Sequence, residues 1–179
     1  MFCQEKPETA HFRAAYASRA DFCEVFERDM KPLYLLAFLL TANHEKAERC
    51  FAATLEESMQ EQSVFKGWER LWIKRSLLKN AIRMISPAST DIAEKRDLWQ
   101  AGQFSSEAID AVTDLAPLTR FVFVMLILER CSVWECAVLL GCSTRKVAES
   151  RLQALRGLPE SVKLLPVEMR ASCLIQVPA

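Results

Sequence analysis

Apolar residues return every three or four positions through most of this chain, and this spacing restricts the fold more than any other feature of the sequence. Between Phe22 and Met30 the apolar positions follow the i, i+3, i+4, i+8 pattern of one helix face. No segment alternates polar and apolar residues as a half-buried strand does. Only 4 of the 179 residues are glycine, which disfavours a β fold built on glycine turns. We therefore predict an all-α protein.

Turn-forming residues divide this helical pattern into two parts. The segment Ser86-Pro87-Ala88-Ser89-Thr90 is the clearest linker signal, and the periodicity stays poor for several residues after it. We predict two small helical domains joined by a linker, the second a helix-turn-helix. The predicted division is a loose N-terminus over 1–17, a helical domain over 18–85, a linker over 86–104, a helix-turn-helix domain over 105–158 and a tail over 159–179.

Local signals place the helix ends within these domains. In the first domain we predict a helix from Ser18 that bends or restarts at Pro32, then helices over roughly 44–60 and 66–85. Asn43 or Thr41 is the expected N-cap of the helix over roughly 44–60. In the second domain we predict helices over about 106–114 and from Pro117 to about Arg130, since proline suits the first helical turn.

The motif that predicts a function lies between Ser132 and Arg156, after the predicted helix from Pro117. Ser132 and Glu135 have the spacing of a capping box, and Gly141 suits the left-handed end of that helix. Ser143 then caps a polar, basic helix that runs to about Arg156. A capped helix, a tight turn and a basic helix in this order are typical of a helix-turn-helix that binds duplex DNA.

The side chains of this last helix determine which residues are expected to contact DNA. Long donors near its start reach base edges in the major groove, while hydroxyls and free amides at a helix start suit phosphate. Arg151 lies off the main polar arc and suits phosphate better than bases. The alternative is an amphipathic helix that is simply solvated. The predicted DNA-binding residues are Ser143, Thr144, Arg145, Lys146, Glu149, Ser150, Arg151 and Gln153.

A second cationic stripe lies in the first domain. Aromatic rings that alternate with cations suit unpaired bases, because rings stack on bases while cations hold the backbone. The alternative is that the tryptophans are core and the cations extend from its edge. The stripe consists of Trp68, Trp72, Arg75, Lys79 and Arg83, each three or four residues after the last.

Composition excludes several other classes of function. The 23 basic residues balance the 23 acidic ones, so nucleic-acid binding has to come from local basic faces. The 2 histidines and the absence of a phosphate-binding glycine loop disfavour a His-based metal site, a catalytic triad and a nucleotide fold. No carboxylate pair or nucleophile–base pair stands out, so we expect no enzyme, no cofactor and no small-molecule substrate.

Cysteine usage indicates the compartment. The 7 cysteines are odd in number, include no C-x-x-C pair and fit no zinc spacing. We expect free thiols in a reducing cytoplasm, and no metal. The longest apolar run, Phe121 to Leu128, is too short to span a bilayer, which needs about 20 residues. The N-terminus also lacks the apolar region of a secretory leader.

Three motifs of the second domain follow one another in a family-specific order. Leu115 to Phe123 is similar to the pattern L-P-x-x-x-R-x-V-F, Ser132 to Ala137 is similar to S-x-x-E-I-A, and Leu140-Gly141-Cys142-Ser143 leads into a helix with Val147, Arg151 and Leu152. In order and spacing, over about 45 residues, the domain resembles region 4 of bacterial sigma factors of the extracytoplasmic-function type, and the last motif resembles their recognition helix.

The first domain looks like region 2 of the same family. Ala47-Glu48 resembles the start of the segment that binds the polymerase clamp, although Arg49, Ala52 and Ala53 stand where Asp, Gln and Glu are usual. Trp72 and Asn80 resemble the family's W-L…N helix at a spacing one residue too long. The resemblance implies contacts of Glu48 and Arg49 with core RNA polymerase, and of Asn80 with unpaired DNA.

The resemblance as a whole implies a promoter-recognition subunit. Its implied partners are promoter DNA and core RNA polymerase, and an anti-sigma protein could regulate it. Two alternatives remain open from the sequence. One is a sigma-derived regulator that binds DNA or protein without initiating transcription, and the other is a helical protein-interaction module. Binding to core polymerase distinguishes the promoter-recognition subunit from the regulator. Salt-dependent binding to duplex DNA distinguishes both of these from the protein-interaction module.

Overall fold

The described part of the chain is helical, as the sequence predicts. The computed structural model describes residues 15–88 and 106–159, and no strand occurs among them beyond one isolated antiparallel bridge between Tyr16 and Phe65. The helices are α1 (Arg19–Thr41), α2 (His44–Gln60), α3 (Glu69–Ile85), α4 (Ser106–Thr113), α5 (Pro117–Phe123), a π-helical turn (Val124–Leu128), α6 (Val133–Leu140) and α7 (Thr144–Gly157).

Parts of the predicted division fall outside the described residues. This applies to 1–14 of the loose N-terminus, 89–104 of the linker, residue 105 of the second domain and 160–179 of the tail. The described end of the N-terminal segment is held by backbone hydrogen bonds, because the Ala17 amide donates to the Val64 carbonyl at 2.8 Å.

Most helix ends lie where the local signals place them. Asn43 caps α2 by accepting a hydrogen bond from the Lys46 amide at 2.9 Å. Ser18 and Asp21 form a full capping box at the start of α1, and α6 ends at Gly141 with φ +63°. These ends depend on contacts within one turn, which the sequence specifies directly.

Pro32 bends α1, as the sequence predicts, through the turn that precedes it. The non-helical backbone lies at Asp29 (φ −106°, ψ 15°), three residues before Pro32. The pyrrolidine ring lacks an N–H and clashes with the carbonyl four residues earlier, so the turn preceding it opens. The Asp29 carboxylate is buried at this kink and pairs with the Arg70 guanidinium at 2.8 Å.

The helix that starts at Pro117 runs on to Leu128, close to its predicted end at about Arg130, but it does not stay α-helical throughout. Its last turn widens, and the Glu129 amide donates to the Val124 carbonyl at 2.9 Å, an i→i+5 bond. Arg130 then takes a left-handed conformation with φ +55°, which ends the helix and turns the chain towards α6.

Helices α1–α3 and α4–α7 are joined by one continuous hydrophobic core. We call the polar contacts between the two groups the junction. At the junction the buried Arg120 donates to the Leu40 carbonyl at 3.1 Å. Lys74 pairs with Glu129 at 2.8 Å, and Arg75 pairs with Glu135 at 2.9 Å. The junction therefore holds α3 against the start of α6.

Candidate nucleic-acid interface

The segment from Ser132 to Gly157 forms the predicted helix-turn-helix. Ser132 accepts a hydrogen bond from the Glu135 amide at 3.1 Å, which is one half of the predicted capping box. The Glu135 carboxylate takes a different partner, the Arg75 guanidinium of α3. Ser143 caps α7 by accepting from the Lys146 amide at 3.2 Å. Two side-chain caps and one left-handed turn thus set the angle between α6 and α7.

The start of α7 is exposed and basic. The Arg145 side chain is 88% exposed, and its Nε donates to Glu149 Oε1 at 2.8 Å. This hydrogen bond, with the carboxylate charge, raises the pKa of Arg145. Lys146 and Arg151 are also exposed. With Arg156 in the last turn, the helix therefore presents four cations and one acid to solvent.

The remaining predicted DNA contacts are exposed, but one of them also bonds to a neighbouring helix. Ser143 and Thr144 are exposed at the helix start. Gln153 is exposed as well, but its amide oxygen accepts a hydrogen bond from the Thr119 hydroxyl at 3.3 Å. Gln153 therefore also helps to hold α7 against α5.

The prediction that Ser150 lies on the exposed face of α7 is wrong. Ser150 is only 3% exposed, and it shares a buried stripe with Val147 and Ala154. This i, i+3, i+7 stripe packs towards the rest of the second group of helices. The apolar residues Ala148 and Leu152 of the same helix are exposed. Packing against neighbouring helices, rather than side-chain polarity, determines which face of α7 is buried.

The cationic stripe of α3 is only partly a surface. Trp68 is 62% exposed, and Lys79 and Arg83 are exposed. Trp72 is half-buried and meets the Phe22 ring edge to face, with ring centroids 5.7 Å apart. Arg75 is exposed but is paired with Glu135 at the junction.

Asn80 lies in the core, contrary to an expected role on exposed, unpaired DNA. It is 5% exposed, and its amide nitrogen donates to the Thr54 hydroxyl at 3.2 Å. Its amide oxygen accepts from the Arg83 guanidinium at 3.1 Å, and Arg83 also pairs with Glu57. Asn80 therefore orients Arg83 rather than contacting a ligand itself.

The two tryptophans of α3 should respond differently to truncation. We expect Trp72→Ala to lower the free energy of unfolding by about 2–3 kcal/mol, because the ring packs on Phe22 and leaves a partial cavity. Trp68→Ala removes an exposed ring and should change the free energy of unfolding by less than about 0.5 kcal/mol. Urea unfolding of both variants measures the difference, and equal effects would contradict this assignment.

The predicted polymerase contacts lie on the outer side of α2. Glu48 and Arg49 are both exposed, and Arg49 reaches Glu45 at 3.7 Å. The Glu48 charge also acts on the neighbouring Tyr34 phenol, whose pKa is raised first by burial and then by this carboxylate. Both predicted contact residues are thus open to a protein partner.

Sequence reasoning missed three exposed apolar side chains on the helix-turn-helix itself. Trp134 is 70% exposed, and Val138 and Leu152 are also exposed. Their apolar character predicts burial, and nothing in the local sequence signals that they face outward. Such a surface suits contact with another protein.

Two other kinds of site are not found in the described residues. No group of three or more His, Cys, Asp or Glu side chains is placed there to hold a metal ion. Among the same residues no helix has the length and apolar character that crossing a membrane requires.

Comparison with known proteins identifies a fold. No protein-family model and no curated protein matches the chain at a significant level. Among solved structures, the chain is similar to the sigma factor RpoE of Bartonella quintana, solved in complex with the anti-sigma factor NepR. The TM-score is 0.51 and the sequence identity 19%, over 82% of this chain and 99% of that chain. The chain therefore has an all-α fold like that of a sigma factor.

Proposed function

We propose that this chain is a sigma-like promoter-recognition subunit that works in the cytoplasm with core RNA polymerase. The observation that carries the proposal is the exposed, basic α7, capped and positioned as the second helix of a helix-turn-helix, on a fold similar to a sigma factor. In this proposal α6 and α7 bind duplex promoter DNA. The exposed part of the α3 stripe holds unpaired strand, and α2 contacts the polymerase.

The start of α7 has the chemistry for reading a duplex. An α-helix fits the major groove, and arginine or lysine donates to guanine edges there. The exposed hydroxyls of Ser143 and Thr144 lie at the helix start, where free amides favour phosphate. The Arg145–Glu149 pair holds the guanidinium in one orientation, so part of the ordering occurs before DNA arrives.

Removing the first two cations of α7 should weaken duplex binding. We expect Arg145→Ala/Lys146→Ala to raise the Kd for a selected duplex by at least about tenfold, because base and phosphate contacts are both lost. The slope of log K against log salt should fall by about 2. Fluorescence anisotropy with a duplex enriched from a random library measures both quantities.

A matched variant controls for net charge. Arg19→Ala/Lys66→Ala removes two exposed cations from the first group of helices, and we expect it to change the Kd by less than about twofold. Equal losses in the two double variants would indicate bulk electrostatics. An unchanged Kd in the α7 variant would remove α7 from the interface.

A second candidate function is a regulator that binds DNA or a partner without initiating transcription. The observation that favours it is the junction, where Arg75 of the proposed single-strand stripe is already paired with Glu135. Affinity capture with core RNA polymerase, followed by run-off transcription from a promoter library, separates the candidates. Specific transcripts support the initiating subunit, whereas duplex binding without polymerase capture supports the regulator.

A protein partner is also part of the proposal. The similar sigma factor was solved bound to an anti-sigma factor, and this chain exposes Trp134, Val138 and Leu152 on its helix-turn-helix. We assign this apolar surface to a protein contact, with the polymerase or with an inhibitor, because large exposed apolar side chains favour association.

A further inference from the structure

Both ends of α6 are closed by capping motifs whose packing positions are occupied by cysteines. Ser132 is the N-cap, so Cys131 and Cys136 stand at the two positions that pack together in a hydrophobic staple. At the other end the Gly141 amide donates to the Val138 carbonyl and the Cys142 amide to the Ala137 carbonyl, at 3.3 and 3.0 Å.

This second pattern is a Schellman motif, which brings the residue after the glycine against the last turns of the helix. Cys142 is that residue, and Cys136 lies on the turn that it contacts. Because α6 has only eight residues, the two motifs converge on one side chain. Cys136 is fully buried, and Cys131 and Cys142 are half-buried on either side of it.

The electrostatics of the thiols agree with this convergence. A hydrogen bond from the Cys136 thiol lowers the pKa of Cys131. The same bond, together with burial, raises the pKa of Cys136. Burial raises the pKa of Cys142. Cys131 is thus the thiol of the three that most readily becomes the nucleophilic thiolate.

We propose that Cys131 and Cys136 form a redox-active dithiol that hydroperoxides convert to a disulfide. The Cys131 thiolate attacks a peroxide oxygen, the O–O bond breaks, and hydroxide leaves, which gives a sulfenic acid on Cys131. The Cys136 sulfur loses its proton and attacks the Cys131 sulfur. The S–S bond forms, the S–O bond breaks and water leaves. Two thiols lose two electrons, and hydrogen peroxide is reduced to two waters.

Two cysteines of the first group of helices are internal controls. Cys23 is exposed, and its thiol meets the Met59 sulfur at 3.9 Å rather than another thiol. Cys50 is buried, donates to the Leu77 carbonyl at 3.5 Å, and has its pKa raised to about 12 by burial. If exposure alone made a thiol reactive, Cys23 would be oxidised, and if burial alone did so, Cys50 would be. The two residues therefore distinguish these effects from the effect of a neighbouring thiol.

Peptide mapping tests the proposal directly on the full-length reduced protein. After treatment with hydrogen peroxide, free thiols are blocked with N-ethylmaleimide, and the protein is digested with trypsin and a glutamate-specific protease. Cleavage after Arg130, Glu135 and Arg145 separates the two cysteines. We expect the peptide over 131–135 to be disulfide-linked to that over 136–145, with maleimide on Cys142. A link from Cys131 to any other cysteine, or no link, overturns the proposal.

Serine variants identify the order of the steps. Cys136→Ser should stop at a Cys131 sulfenic acid, which dimedone traps, and Cys131→Ser should abolish both this sulfenic acid and the disulfide. Cys142→Ser and Cys23→Ser should leave the rate of disulfide formation unchanged. Loss of the disulfide in Cys142→Ser would contradict the assignment. The wild-type mapping needs no DNA or polymerase, so its failure is distinct from failure of the proposed function.

Discussion

Arg120→Met is expected to lower the free energy of unfolding by about 3–5 kcal/mol, because it leaves several buried carbonyls without a donor. The Arg120 guanidinium is 5% exposed. It donates to the carbonyls of Leu40 at 3.1 Å, Thr113 at 3.1 Å and Leu115 at 3.2 Å. Methionine fills much of the same volume but supplies no N–H. Urea unfolding followed by circular dichroism measures the change.

An exposed arginine provides the matched control for this substitution. Arg156→Met at the end of α7 removes the same charge from the surface, and we expect a change below about 0.5 kcal/mol. Arg120→Lys should fall between the two, because an ammonium cannot reach all three carbonyls in the fork geometry of a guanidinium. If Arg120→Met unfolded at the wild-type urea concentration, the role assigned to this side chain would be wrong.

The second large effect is expected at the buried ion pair of the junction. Lys74 and Glu129 are 12% and 7% exposed and lie 2.8 Å apart. Lys74→Met should lower the free energy of unfolding by about 3–5 kcal/mol, because the Glu129 carboxylate stays buried without its cation. The double variant Lys74→Met/Glu129→Met should recover most of this loss, since it removes both desolvated charges. A double-mutant cycle from urea unfolding measures the coupling.

The neighbouring pair is a control from the same helix and the same junction. Arg75 and Glu135 lie at a similar distance but are 55% and 28% exposed. Arg75→Met should therefore change the free energy of unfolding by less than about 1 kcal/mol. Equal effects of the two methionine substitutions would show that burial does not set the strength of the junction pairs.

The helices could be predicted from the sequence because their ends are local. Asn43, Ser143 and Gly141 act through bonds within one turn, so the residue types alone indicate where α2, α6 and α7 begin or end. The π-helical turn after α5 has no comparable signal. Its apolar residues fit an α-helix equally well, and the wider turn arises where the chain must redirect towards α6.

The site could be predicted less completely, because burial is a tertiary property. Polarity predicts an exposed Ser150, and the family resemblance implies an accessible Asn80, yet both are buried against neighbouring helices. The partner of Lys74 is 55 residues away, and no local pattern joins them. The exposed cations at the start of α7 were predictable, because their position next to a cap and a tight turn determines their surroundings.

The Arg75–Glu135 contact has a consequence for the binding of unpaired DNA that we propose for α3. One guanidinium cannot neutralise Glu135 and a phosphate at once. Glu135 is part of the same chain, so it competes as an intramolecular ligand at an effective concentration of about millimolar. In the proposed function, a strand that contacts Arg75 displaces this carboxylate, at a cost below about 1 kcal/mol because the pair is largely exposed. Glu135 thus lowers the affinity of α3 for a strand only modestly.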